Sequence, residues 1–461
     1  MMAAEPIPGS FRDPAGFVFK RNEVLYRQIN SGFDENIRLL SSSGLQETLL
    51  KAGMVVDFEV VDIGLGATSD AAMVLRPSVV RFISYPFEWC FSQLKAAALL
   101  TLEIMSMALD NGMILKDASA YNIQFVGIDP IFIDTLSFTK YEEGEPWVAY
   151  KQFCQHFLAP LAIMARKDIR LASLLRTHID GIPLDLASKL LPLSTRASFG
   201  LLTHIHLHAK AEPQNGHSLG ANSAPKVSKD GLLALIDSLK STINKLSWEP
   251  KGTEWGDYYL STNYSQIAFA SKESIVKSFL SLVPEVADSC CDLGANNGEF
   301  SKLAVDKGLN TIALDIDSAA VEKCFIAATQ SKSRALLPLL QDLINPTPNY
   351  GWAGVERDSM VNRFSCDVAL ALALVHHLAI GNNVPLTMIA DFLTKIGEWL
   401  IVEFVPKEDS QVQRMLVARE DIFFDYHLQG FETAFAAKFN TISKQEIDGT
   451  SRIIYLMQRR S

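Results

Sequence analysis

The sequence predicts an α/β protein: a C-terminal parallel sheet covered by helices and closed by an antiparallel edge hairpin, preceded by an N-terminal α+β domain. Three observations carry that prediction. From residue 272 to 405 short apolar strands alternate with amphipathic helices, the pattern of a sheet buried on both faces. Residues 439–458 hold two strand-like runs around Asp448-Gly449-Thr450-Ser451, a hairpin signature. Residues 210–230, KAEPQNGHSLGANSAPKVSKD, lack apolar periodicity and read as an exposed linker.

At 461 residues the chain exceeds one ordinary core, so domains are expected over 1–209 and 231–461, joined by 210–230. In the first, 16–20 and 24–29 pair over Arg21-Asn22-Glu23, and a helix covers 91–111. An amphipathic helix at 231–247, with Leu232, Leu235, Ile236, Leu239, Ile243 and Leu246 on one stripe, opens the second. There follow helix 272–283, strand 287–292, helix 298–307, strand 310–315, helix 318–330, strand 335–340, strand 367–375, helix 385–397 and strand 399–405.

Hydrophobic residues make up 48% of the chain and charged residues 20%, which suits a globular enzyme and excludes a disordered protein. A formal charge of −10 argues against a broad phosphate-binding surface, so nucleic acid is not an expected partner. The opening residues MMAAEPIPGSFRDP carry no basic-then-apolar leader, and the apolar run from Val368 to Ile380 is too short to span a bilayer. A cytoplasmic location without a membrane partner is expected. The cysteines at 90, 154, 290, 291, 324 and 366 form no Cys-x-x-Cys pair, so buried reduced thiols are expected rather than a metal site.

The segment Cys291-Asp292-Leu293-Gly294-Ala295-Asn296-Asn297-Gly298-Glu299-Phe300 joins the first strand of the parallel sheet to the next helix, where such sheets bind ligands. Gly294 and Gly298 let backbone approach a ligand and turn sharply. The acid separates the options. A carboxylate at 292 repels pyrophosphate, and the Gly-x-Gly-x-x-Gly pattern of dinucleotide sites is absent. S-adenosylmethionine (SAM) carries an ammonium and a sulfonium, which favour a nearby carboxylate. A second acid, Asp315, ends the next strand 23 residues later, where a carboxylate accepts hydrogen bonds from ribose hydroxyls. Asp317 is its neighbour, but the register favours Asp315.

Asp292-x-Gly294-x-x-x-Gly298 resembles the first motif of class I methyltransferases. The resemblance covers residues 250–461 and implies a Rossmann-like sheet that binds SAM through Asp292, Gly294, Asn296, Gly298 and Asp315. It also implies that Asp342, in Gln341-Asp342 after the third strand, faces the adenine amino group. The fourth strand ends in Leu374-Val375-His376-His377-Leu378, which the resemblance places beside the transferable methyl. No Asn/Asp-Pro-Pro-aromatic motif stands there, leaving hydroxyl, carboxylate, amine or carbon acceptors. His376 or His377 could deprotonate an acceptor hydroxyl, or only shape the pocket. Trp255-Gly256-Asp257-Tyr258-Tyr259 could cover the cofactor or pack in a core. The polar cluster at 403–409, with Ser451-Arg452-Ile453-Ile454-Tyr455-Leu456, resembles the bacterial nodulation-protein (NoeA-like) methyltransferases.

In the N-terminal domain, Asp117 and Asn122 are five residues apart, and Asp134 follows twelve residues later. This resembles the catalytic loop and metal-binding Asp of kinase-like folds. The departures are Lys116, Thr135-Leu136 in place of Phe-Gly, and the lack of a Gly-rich phosphate loop or a Val-Ala-x-Lys strand. An ordinary capped loop, a degenerate binding fold and an active phosphotransferase stay open. His204, His206 and His208 alternate and could bind metal or end a partly exposed helix. The leading expectation is a SAM-dependent methyltransferase acting on a small-molecule or saccharide acceptor. A bifunctional protein with an N-terminal phosphotransferase and a non-catalytic SAM-binding scaffold are the alternatives.

Overall fold

The computed structural model describes residues 4–211, 226–253, 265–417 and 420–460. The chain forms two compact units: Met1–Trp248 with Asn349–Arg357, and Glu249–Pro348 with Asp358–Ser461.

Unit 1 begins with five antiparallel strands, β1 (Glu5–Pro6), β2 (Gly16–Arg21), β3 (Val24–Asn30), β4 (Phe58–Val61) and β5 (Ala71–Pro77), in the order β1-β2-β3-β5-β4. The expected hairpin is present. Asn22 and Glu23 both take left-handed backbone, φ 51° and 62°, which gives the two-residue turn the twist its strands need. The helix Phe91–Asp110 is apolar nearly all round, as a helix enclosed by its unit must be. Two short ladders follow: β6 (Met113–Leu115) pairs with β9 (Phe138–Lys140), and β7 (Ile123–Val126) with β8 (Asp129–Phe132). His204 and His206 are buried and satisfied, His204 by Tyr150 and Ser238 at 2.7 and 2.9 Å, His206 by Ser188 and Thr195 at 2.8 and 2.9 Å. Both rings are hydrogen-bonded core groups, and among the described residues no His/Cys/Asp/Glu group is arranged to hold a metal.

The helix Lys229–Asn244 corrects the expected boundary at 231, because it belongs to unit 1. Its buried Leu232, Ile236, Leu239 and Ile243 pack beside Phe91–Asp110, and Lys95 Nζ donates to the carbonyls of Asn244 and Leu246 at 3.1 and 2.8 Å. An apolar stripe shows that a helix is buried without showing in which core. Residues 212–225, most of the expected linker, lie outside the described residues.

Unit 2 is a seven-stranded sheet: β10 (Ser289–Leu293), β11 (Asn310–Asp315), β12 (Leu336–Leu340), β13 (Cys366–Ala371), β14 (Gly397–Phe404), β15 (Phe439–Glu446) and β16 (Ile453–Arg459). The order is β12-β11-β10-β13-β14-β16-β15. The first five strands run parallel, whereas β16 is antiparallel to both β14 and β15. The α/β class and the edge hairpin are thus as expected. Helix Gln266–Leu282 lays Val276, Phe279 and Leu280 on Cys290, Val368, Leu370, Ile401 and Leu456. The fourth strand stops at Ala371, short of the expected 375, and the chain turns through Ala373 (φ 51°) into the π-helix His377–Gly381. Apolarity continues past the strand because these residues wall a cavity. All six cysteines are buried free thiols. Among the described residues no helix is long and apolar enough to cross a membrane.

Residues 349–357 leave the second unit's sequence and complete the first. Tyr350 stacks edge-on against Tyr85 and Phe87 and meets the Tyr121 hydroxyl at 3.1 Å, while the Arg357 guanidinium lies 4.6 Å over the Tyr121 ring. Arg12 binds Glu356 in a two-pronged pair, Nε to Oε1 at 2.6 Å and a second nitrogen to Oε2 at 2.9 Å. Gly9 approaches so closely that an added Cβ would lie 2.5 Å from the Glu356 carbonyl oxygen. The Glu356 side chain is wholly buried but Arg12 is half exposed. Among the described residues, removing the arginine leaves the buried carboxylate only Arg357, 3.8 Å away, and the Trp352 N–H, which donates to it at 2.8 Å, whereas removing the glutamate leaves a cation that water can reach. Arg12→Ala should cost about 1–3 kcal/mol in chemical denaturation, and Glu356→Gln added to it should recover part of that loss. No recovery would show that Arg12 acts through packing alone.

Candidate functional site

In the sheet of unit 2, β11 and β13 flank β10 on opposite sides, so the strand order reverses at β10 and a crevice opens beyond the strand ends. The glycine turn is fixed there by backbone. The Leu314 carbonyl accepts the N–H groups of Gly294 and Ala295, each at 2.9 Å. Asp315 completes the turn, accepting the Asn296 N–H on Oδ2 and the Asp317 N–H on Oδ1, each at 2.8 Å. Asp317 serves the next helix instead: its Oδ1 caps Ser318–Gln330 by accepting the N–H groups of Ala319 and Ala320. Gly294 has φ +75° and Gly298 φ +83°. A Cβ at Gly298 would stand 2.5 Å from Cys324 Sγ, so this glycine lets two helices approach.

A cavity of about 250 Å³ occupies the crevice. Its wall includes Asp292, Gly294, Asn296, Asp315, Asp342 and His377. Neither Gly298 nor His376 reaches it. Ile316 and Ile344 follow two of the acids on the wall, and both are largely exposed, giving apolar surface beside groups that accept hydrogen bonds. Asp292 and Asp315 are almost fully buried. Burial pushes Asp292 up to about 6, against the Ser301 hydroxyl, which donates to it at 2.6 Å, and the charge of Lys272. Burial likewise pushes Asp315 up to about 6 against the N–H groups of Asp317 and Asn296. Both are mostly ionised at neutral pH.

The two histidine rings lie 4.2 Å apart. Burial lowers the pKa of both, and the Arg452 charge pushes the same way. Each ring is therefore held neutral at working pH, and the same burial disfavours its protonated form. His376 is sealed, with its Nδ1 lacking a hydrogen-bond partner among the described residues; His377 faces the cavity.

Other wall residues were not singled out by sequence. Lys272, Phe269 and Asn382 line the cavity, and Lys272 begins an ion network: its Nζ meets Glu403 Oε2 at 2.7 Å and lies 4.6 Å over the Phe300 ring. Arg452 reaches Glu403 at 3.3 Å and clamps Asp409 at 2.7 and 3.0 Å. The polar run 403–409 signalled Glu403 and Asp409, but nothing in the helical pattern marked Lys272, which reads as one more charged helix position. Residues 255–259 lie outside the described residues.

No family model matches the chain. It is 37% identical over 471 aligned positions to the nodulation protein NoeA of Rhizobium meliloti (strain 1021), covering 100% of this chain and 98% of that one. Three solved structures resemble it distantly. The PH0226 protein of Pyrococcus horikoshii OT3 is 15% identical over 45% of this chain and 100% of its own, TM-score 0.33. The bifunctional kinase-methyltransferase WbdD is 15% identical over 47% and 45%, TM-score 0.32. The magnesium protoporphyrin IX methyltransferase ChlM of Synechocystis PCC 6803 is 14% identical over 45% and 93%, TM-score 0.31. Full-length identity to the rhizobial protein settles kinship: the chain belongs to the NoeA family.

Proposed function

We propose that unit 2 is a SAM-dependent methyltransferase acting on a small-molecule or saccharide acceptor, at a hydroxyl. One observation carries the reading. Asp342, Asp315 and Asp292 follow or end three adjacent parallel strands in spatial order and face one cavity at the strand-order reversal. Such a wall repels pyrophosphate and suits a cationic nucleoside. The fit is direct: Asp315 for ribose hydroxyls, Asp342 with Ile316 and Ile344 for the purine, and Asp292 for the ammonium, with Gly294 and Asn296 forming the floor. Bound there, SAM supplies an activated methyl group and leaves as a neutral thioether. Because charge is lost in that step, alignment supplies most of the acceleration. Neutral His377 takes the acceptor's proton on a ring nitrogen, and His376 packs behind it.

A phosphotransferase reading of unit 1 meets a specific obstacle. The loop does bring its groups together: Asn122 donates to Ser137 Oγ at 3.1 Å, and Ser137 donates to Asp134 at 2.5 Å. However, Arg27 of β3 forms an ion pair with Asp134, so a fixed cation neutralises the carboxylate that a magnesium ion would need. Unit 1 in this reading binds or positions without transferring phosphate.

Titration calorimetry of the full chain should show SAM binding that Asp315→Ala weakens about ten- to a hundredfold, the worth of charged hydrogen bonds. Affinity should also fall as pH drops through about 6, because protonation discharges Asp292 and Asp315. Undiminished binding by the variant would remove Asp315 from the ribose role. His377→Ala should slow transfer of labelled methyl into a cell-extract acceptor by about a hundredfold or more with SAM affinity unchanged; an unaltered rate would exclude the base. Magnesium-dependent ATP binding by the full chain should be absent, and its detection would restore the phosphotransferase reading.

A further inference from the structure

Among the described residues lining the cavity, Lys272 is the one cation. It is almost wholly buried, a costly place for an ammonium. Glu403 offsets that cost, and the network extends behind it through Arg452 to Asp409. Two cations thus face two carboxylates, and the ammonium is held at the wall by a fixed chain of partners. Its place in the sheet is informative. Asp342 follows β12, Asp315 ends β11 and Asp292 lies near the end of β10, whereas Glu403, the anchor of Lys272, lies on β14 beyond β13. The lysine therefore stands toward the end of the crevice away from Asp342. Asp292 and Lys272 influence each other's charge, so this end presents a carboxylate and an ammonium together. Such a pair complements a zwitterion.

We propose that Lys272 receives the carboxylate of the cofactor's amino-acid end while Asp292 faces its ammonium, an inference that rests on the SAM reading. The Glu403–Arg452–Asp409 chain makes Glu403 a positioning residue, fixing the ammonium before ligand arrives. Burial drives the lysine pKa down and Glu403 opposes the shift; an arriving carboxylate adds a second partner favouring the charged form.

Three probes separate the parts: SAM, decarboxylated SAM, which keeps the ammonium alone, and 5′-methylthioadenosine, which lacks the amino-acid end. The wild-type chain should prefer SAM to decarboxylated SAM by about ten- to a hundredfold. Lys272→Met should bind those two alike and keep its affinity for 5′-methylthioadenosine. A wild-type preference that survives in Lys272→Met, or a wild type without preference, overturns the lysine's role and leaves the cofactor reading standing. A wild-type chain that binds none of the three overturns both. Should Lys272→Met lose 5′-methylthioadenosine as well, Lys272→Arg decides: retained preference supports the charge contact, and lost preference overturns it.

Discussion

The second unit is organised around two carboxylates buried side by side at the ends of adjacent parallel strands. Asp315 is both scaffold and wall, because the residue that lines the cavity also accepts the Asn296 N–H of the glycine turn and the Asp317 N–H that follows its own strand. Holding these acids ionised is unfavourable without a ligand. Each is displaced upward from 3.8 to about 6, which corresponds to roughly 3 kcal/mol per group. The sign follows from linkage: with the folded pKa above the unfolded one, the stabilising contribution is complete below about 4 and is lost as pH rises through about 6. At neutral pH both carboxylates weigh against the folded state, and the cationic ligand proposed for this cavity would offset that cost at Asp292.

Most of this site was legible because parallel sheets leave strong marks. β11 and helix Ser318–Gln330 fall at their expected bounds, since a strand buried on both faces is an unbroken apolar run and Asp317 is a plain helix cap. Other features left no local trace. Gly298 reads as part of a ligand loop, but its lack of a side chain serves Cys324. The apolar run through 375 reads as strand, yet it changes from strand to cavity wall after Ala371, and hydropathy does not distinguish a sheet interior from a pocket lining. Of two adjacent histidines one faces the cavity, a matter of π-helical geometry rather than composition.

The ion network shows why the antiparallel edge matters. Arg452 lies just before β16, and the reversed direction of that strand brings the residue level with the C-terminal end of β14, where Glu403 sits opposite Ile454. A parallel sixth strand would begin at the other end of the sheet. The hairpin thus carries a cation to the cavity side of the sheet. Clamped by Asp409, that cation keeps Glu403 compensated, so that Glu403 can in turn hold a buried lysine. Buried ion pairs are seldom retained for stability alone, because apolar packing in their place is often as good. Four such groups leading from the sheet edge to a cavity wall are better understood as the setting of one ammonium.

The passage of residues 349–357 through unit 1 constrains how this chain can be divided. The first 248 residues lack Glu356 and Tyr350, so a fragment ending there leaves Arg12 and Tyr121 without partners that the complete unit supplies. A fragment ending near 210 also loses Lys229–Asn244, whose buried stripe covers Phe91–Asp110. Neither piece contains the whole core of unit 1, and unit 2 cut at 249 carries a strap whose buried Glu356 and half-buried Tyr350 and Arg357 have lost their unit 1 partners. The chain leaves the sheet after β12, beyond Asp342, and returns at Asp358 before β13. That connection joins the strand preceding the proposed adenine acid to the strand preceding the proposed base. Covalent continuity alone therefore ties the loop between those two strands to unit 1.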